Sequence, residues 1–155
     1  MNKGVRRRGR ELGLKLIYSL QDLEGEVAVL LDDFWGNFRF QDDVLGEPLD
    51  DLSESVPVEV RRFAEGLVRG VAEHCADLDA EISRFSTNWS IERMARVDLA
   101  LLRMGSYELV HCLDVPTNVV INEAIELGKV YGTKETSAFI NGILDRISRA
   151  HRPQP

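Results

Sequence analysis

The chain has 155 residues, 44% apolar and 29% charged, proportions that suit one globular core and exclude a wholly disordered chain. Its longest apolar runs, such as Val27 to Leu31 and Val119 to Ile121, fall far short of the ~20 residues a bilayer span needs, and the arginine-rich start leads into no signal-peptide apolar block, so a cytoplasmic location is expected. The net charge of −7 hides a division: residues 1–15 carry Lys3, Arg6, Arg7, Arg8, Arg10 and Lys15 against Glu11 alone, whereas residues 21–59 carry twelve acids against Arg39, the pattern of a basic arm on an acidic body.

In chain order, Leu12, Leu16, Leu20 and Leu23 recur at spacings of three and four with Ile17 beside them, which predicts a first helix over about 6–23 with one buried stripe, slightly weakened by Gly9 and Gly13. Residues 24–56 are acidic and punctuated by Gly36, Gly46 and Pro48, with a short second helix expected within Val27 to Phe40. After Pro57, which suits the first turn of a helix, Val60, Phe63, Leu67, Val71, Cys75, Leu78, Ile82 and Phe85 predict one long amphipathic helix of about eight turns. Ser86-Thr87-Asn88 breaks that pattern. Ser90 is then placed to cap a fourth helix, with Ile91, Met94, Val97, Leu101, Leu102 and Leu109 facing inward to near Leu113.

Asp114-Val115-Pro116 reads as a turn, because the residue before a proline is pushed out of helical geometry. A fifth helix is expected over Thr117 to Tyr131 with Val120, Ala124, Ile125 and Leu127 inward, closed by Gly132 in a left-handed cap. Thr133 caps a last helix whose inner stripe is Ile140, Ile143, Leu144 and Ile147 and which frays after Ala150. With no convincing strand alternation and no fixed-period repeat, the expected fold is all-α: a compact bundle of six to seven helices.

Few residues offer catalytic chemistry. Cys75 and Cys112 each occupy an apolar helical position outside any CxxC pair and are expected to be buried thiols, with no metal site or disulfide. His74, His111 and His151 lie far apart and form no HxxxH or HExxH spacing. Gly128, Gly132 and Gly142 make no phosphate loop, and Asn122, Glu123 and Glu126 are better explained by helix ends and local backbone bonds than by an acid–base cluster. The expectation is a protein without catalytic residues, cofactor or metal.

Binding chemistry is more evident. Arg6-Arg7-Arg8-Gly9-Arg10 sets Arg6 and Arg10 one turn apart on a helix with Arg7 and Arg8 fanning around its start, so that several guanidiniums could meet consecutive phosphates; a merely solvated basic terminus is the plainer alternative. Tyr18 follows on the same helical face, either to stack on an unpaired base or to edge the core. Around the start of the last helix, Lys134, Ser137, Phe139, Asn141 and Arg146 offer charge, hydroxyl, stacking and amide groups, with Phe139 equally suited to core filling.

The stretches RRRGRELGLKLIYSLQ at 6–21, VDLALLRMGSYEL at 97–109, DVPTNVVINEAIELGKVYGT at 114–133 and FINGILDRI at 139–147 resemble the NusB family of transcription antitermination and ribosomal RNA biogenesis factors. The likeness spans roughly 5–24 and 57–149, with the acidic segment at about 25–56 looking like a variation in length. It implies two helical subdomains, placed here at about 5–85 and 86–150, and binding of boxA-like single-stranded RNA in company with NusE, itself a small-subunit ribosomal protein, on an RNA polymerase complex. RNA contacts would fall on Arg6, Arg7, Arg8, Arg10 and Tyr18, and on Phe139 and Asn141, both ends meeting on one surface.

The family's acidic NusE-interface position falls on Asp98, with Arg103 and Glu108 in the same motif. Where relatives often read Asp-Ser-His-Lys-Phe, this chain has Glu135-Thr136-Ser137-Ala138-Phe139, so a family lysine is replaced by Ala138. Two alternatives stand beside this reading: a helical protein–protein adaptor with no RNA role, and a module like the one that precedes ribosomal RNA cytosine methyltransferases, although no methyltransferase follows within these 155 residues. Monomer and homodimer are both compatible with the pattern.

Overall fold

The computed structural model describes residues 3–20, 27–36 and 56–152. Among these, the regular elements are all helical: α1 Lys3–Leu20, α2 Val27–Gly36, α3 Val58–Glu73, α4 Cys75–Phe85, a short 3-10 turn at Ile91–Arg93, α5 Arg96–His111, α6 Thr117–Tyr131 and α7 Thr136–His151. Leu23, Phe40, Gly46, Pro48 and most of the acidic segment lie outside the described residues. The chain forms two compact units, Met1–Ala72 and Glu73–Pro155, so the division falls one helix earlier than the expected 85/86.

In the first unit, Leu12, Val60 and Ala64 form a buried cluster on which Val5, Trp35 and Val56 pack. The expectation of a single buried stripe on α1 is corrected, because Leu14, Arg10 and Lys15 are buried along with Leu12, Leu16 and Ile17. Close approach of α1 to α3 depends on Gly9, where an added Cβ would stand 2.6 Å from Cδ1 of Phe63. Trp35, whose role the sequence does not reveal, donates its indole N–H to Oε1 of Glu65 at 2.7 Å, under the guanidinium of Arg61 at 5.1 Å from the ring centroid.

The long helix expected after Pro57 is two helices. His74 leaves helical geometry at φ −110°, ψ 16°, and apolar periodicity cannot register this break because Val71, Cys75 and Leu78 keep their spacing across it. Ser90 makes no side-chain cap; a 3-10 turn follows it, and α5 begins only at Arg96 after extended backbone at Met94. The bounds expected for α6 are those observed, but Gly132 is extended (φ −98°, ψ −167°) rather than left-handed. Gly105 lets α5 and α7 close on each other, since a Cβ there would lie 3.0 Å from both methyl carbons of Leu144.

The second unit is a four-helix packing in which Leu101, Leu102, Leu109, Val120, Ala124, Ile140, Leu144 and Ile147 fill the centre. Arg152 closes it. Its Nε and Nη2 donate to the carbonyls of Leu109, Glu108 and Cys112, and its Nη1 to the carbonyl of Val115 at 2.6 Å and to Thr117 Oγ1. One guanidinium thus gathers carbonyls at the end of α5, among them that of Glu108, which also accepts the Cys112 N–H, and braces the turn into α6. Among the described residues no helix is long and apolar enough to cross a membrane.

Candidate nucleic-acid and partner interface

The basic cluster of α1 is not a uniform fan. Arg10 is only 2% exposed, with its guanidinium carbon 5.3 Å from the centroid of the Phe63 ring. Arg6 stands over the same ring at 5.8 Å and is half-buried; its Nε has no hydrogen-bond partner among the described residues. Arg8 donates from Nη1 to Oε1 of Glu11 at 2.7 Å. Arg7 is exposed, and Tyr18 is half-buried. Long arginine stems shield apolar surface well, which is why an exposed aromatic edge in α3 draws two of the four arginines inward.

The start of α7 is built differently. The hydroxyl of Thr136 accepts the Thr133 N–H at 3.0 Å and donates to Oδ1 of Asp98 at 2.8 Å, while Oγ1 of Thr133 accepts the Glu135 N–H. These bonds close the turn that precedes α7. The cap expected at Thr133 is corrected: the helix begins at Thr136 with Glu135 as its N-cap and no side-chain cap bond. Ser137 donates to the carbonyl of Ile125 at 3.2 Å, and Arg146 donates to the carbonyl of Phe85 at 2.7 Å. Lys134, Ala138 and Asn141 are exposed. Phe139 is half-buried and meets Trp89 edge-on, with ring centroids 6.5 Å apart.

Of the three residues in the central motif, Asp98 is half-buried. Burial raises the pKa of its carboxyl, and the Thr136 hydroxyl opposes that shift. Arg103 makes a two-pronged pair with Asp79, both N···O distances 2.8 Å, and Glu108 is 2% exposed. Arg103 and Glu108 therefore face the interior of their unit, leaving Asp98 as the member of the motif within reach of solvent. The cysteines, expected to be fully buried, are both half-buried. Burial raises the Cys75 thiol above its ordinary pKa, which keeps it protonated and unreactive.

The NusB family model matches residues 8–149. The chain belongs to the NusB family. It is 65% identical to the transcription antitermination protein NusB of Syntrophotalea carbinolica over 99% of this chain and 97% of that protein, a span that includes the acidic segment. The NusB of Geobacter sulfurreducens is 49% identical over 94% of each chain. Among solved structures, T. maritima NusB superposes with a TM-score of 0.76 at 32% identity, covering 96% of this chain and 93% of that one. The fold is also that of a NusB crystallised with NusE and double-stranded RNA, at a TM-score of 0.77 and 19% identity over 96% and 99%.

Within this NusB fold the arginines of α1 lie in the first unit and Asp98, Lys134, Ser137, Phe139 and Asn141 in the second. Sequence reasoning missed three arrangements: the Asp79–Arg103 pair, the Trp89–Phe139 contact, and a stack of His74 on His111 with ring centroids 3.9 Å apart and Tyr107 alongside at 5.5 Å from His111. Trp89 was the legible signal, as a tryptophan in a stretch of Ser, Thr and Asn has no helical stripe to join.

Proposed function

We propose that the chain acts in transcription antitermination of ribosomal RNA operons as a cytoplasmic, non-catalytic RNA-binding adaptor. It takes up a boxA-like single-stranded element together with NusE and joins the antitermination complex on RNA polymerase. The observation that carries this reading is the 65% identity, over 99% of the chain, to a transcription antitermination protein. The geometry supports it: Arg7 on α1 and Lys134 and Asn141 around the start of α7 are exposed, with an aromatic ring at Phe139 among the latter, a set suited to phosphate and unpaired bases. Asp98 supplies an acid for a basic protein partner, where charge gives specificity.

The test is binding of labelled boxA RNA and of a scrambled control to the purified chain, with and without NusE, at two salt concentrations. Selective binding that strengthens with NusE and weakens with salt is expected. NusE pairing with no preference between the two RNAs would overturn the RNA role and leave a protein adaptor.

A further inference from the structure

After α4 the chain turns at Ser86, whose hydroxyl donates to the carbonyl of Trp89 at 2.9 Å while the Trp89 N–H returns to the Ser86 carbonyl at 3.3 Å. These two bonds hold the turn and leave the indole 48% exposed, the half-wet placement in which tryptophan is enriched at interfaces. The indole borders an open depression of about 600 Å³ whose other walls are mostly polar, among them Ser83, Thr87, Asn88 and Ser90, with Ile91 as an apolar exception. Its charges are nearly balanced: Asp79 on one wall is neutralised by Arg103, and Glu92 stands beside Arg93. Arg93 lies over the indole at 5.4 Å, and the Phe139 ring meets the indole edge-on.

Resting on the RNA-binding reading above, we propose that Trp89 is a stacking platform next to Phe139 that takes an unpaired RNA base flanking the boxA element into the depression beside it. A nucleobase suits the site in each respect. It is flat and stacks on a π face, its edges need the hydroxyl and amide groups that line the walls, and its volume fits the space. A lone phosphate would find one guanidinium, and an apolar peptide side chain would leave the hydroxyls unpaired. Arg93, already over one face of the indole, is placed to take the phosphate that follows a base stacked on the ring.

The chain has two tryptophans, so Trp35→Phe leaves Trp89 as the single reporter. Three kinds of RNA are compared: the boxA core, the core extended by one nucleotide at one end or the other, and the same extensions with an abasic sugar. Extension at one end by an intact nucleotide is expected to tighten binding about tenfold, in line with base–aromatic stacking, and to quench Trp89 fluorescence where the abasic RNA does not. In Trp89→Leu the affinity ratio of extended to core RNA is expected to fall to about one, with Trp89→Phe in between. Equal ratios in wild type and Trp89→Leu, equal quenching by base and abasic RNA, or quenching by NusE alone would overturn the assignment, the last giving the depression to a protein. If the wild type fails to prefer boxA to a scrambled RNA, the proposed function falls, and this assignment with it.

Discussion

The first turns of α1 and of α7 both carry candidate RNA contacts, yet the fold uses their polar groups in opposite ways. On α1 the positive charge is dense, but Arg10 is buried on Phe63, Arg6 half-follows it and Arg8 holds Glu11; of the four arginines, Arg7 is the one classed as exposed. On α7 the formal charge is low, and Thr133 and Thr136 make the side-chain bonds of the turn before it, so the side chains of Lys134, Phe139 and Asn141 have no part in them. A count of arginines therefore overstates the cations that α1 presents to solvent, and a count of charges understates the polar and aromatic groups that α7 presents.

Substitutions sharpen this contrast, beginning with the largest effect. Arg10→Ala is expected to lower the unfolding free energy by about 3 kcal/mol in urea denaturation, since it removes both apolar packing and a buried charge from its partners. Loss of RNA affinity at unchanged stability would instead return Arg10 to the binding surface. Thr136→Val removes the acceptor for the Thr133 N–H and the donor to Asp98 and should cost about 2 kcal/mol, read in the same way. Arg7→Ala should weaken RNA binding about tenfold, about 1.4 kcal/mol, and shallow the salt slope by about one, with the melting temperature unchanged.

Asp98→Asn has a smaller effect with a definite sign. Burial raises the Asp98 pKa, so the folded chain holds that proton to higher pH than the unfolded chain does, and ionisation costs stability as pH rises through the carboxylate range. The amide keeps an acceptor for Thr136, so the variant should be the more stable at about pH 7, with the gap closing by about pH 3, while NusE pairing weakens. Thermal unfolding at both pH values and a pull-down with NusE check the two halves.

The smallest expected effect is at the His74–His111 stack. Burial first and then the neighbouring His74 lower the pKa of His111, against Asp77 and Glu73 and with a minor contribution from His151. The folded state therefore binds its proton less readily than the unfolded state. Stability present above the unfolded value of about 6.5 is lost as pH falls through the folded one. His74→Gln should raise the His111 pKa in an NMR titration; no change would mean that the stacked ring carries no electrostatic influence.

Much of the fold was legible because apolar spacing at three and four records helices well. The inner face of α7, Ile140 through Ile147, came from that signal alone, and the α6 bounds from Pro116 and Gly132 on either side of it. The break at His74 left no mark, since its flanking apolar residues stay in phase. The burial of Arg10 and Lys15 was invisible because residue type predicts exposure for cations unless a neighbouring aromatic is known to lie across from them. The Asp79–Arg103 pair joins residues on different helices, and no local spacing encodes it. The candidate site came from the family motif, and the motif's sequence does not reveal that Glu108 is buried.

Arg152 bears on how the molecule is made. Its guanidinium closes the end of α5 and the turn into α6 from a position some forty residues further along the chain, so the second unit cannot lock that turn until residue 152 has emerged from the ribosome, whereas everything up to Ala72 is already free to fold. Stalled or prematurely ended synthesis would thus leave a finished first unit joined to an unlatched second one, a species that proteases would recognise by its loosened α5–α6 corner.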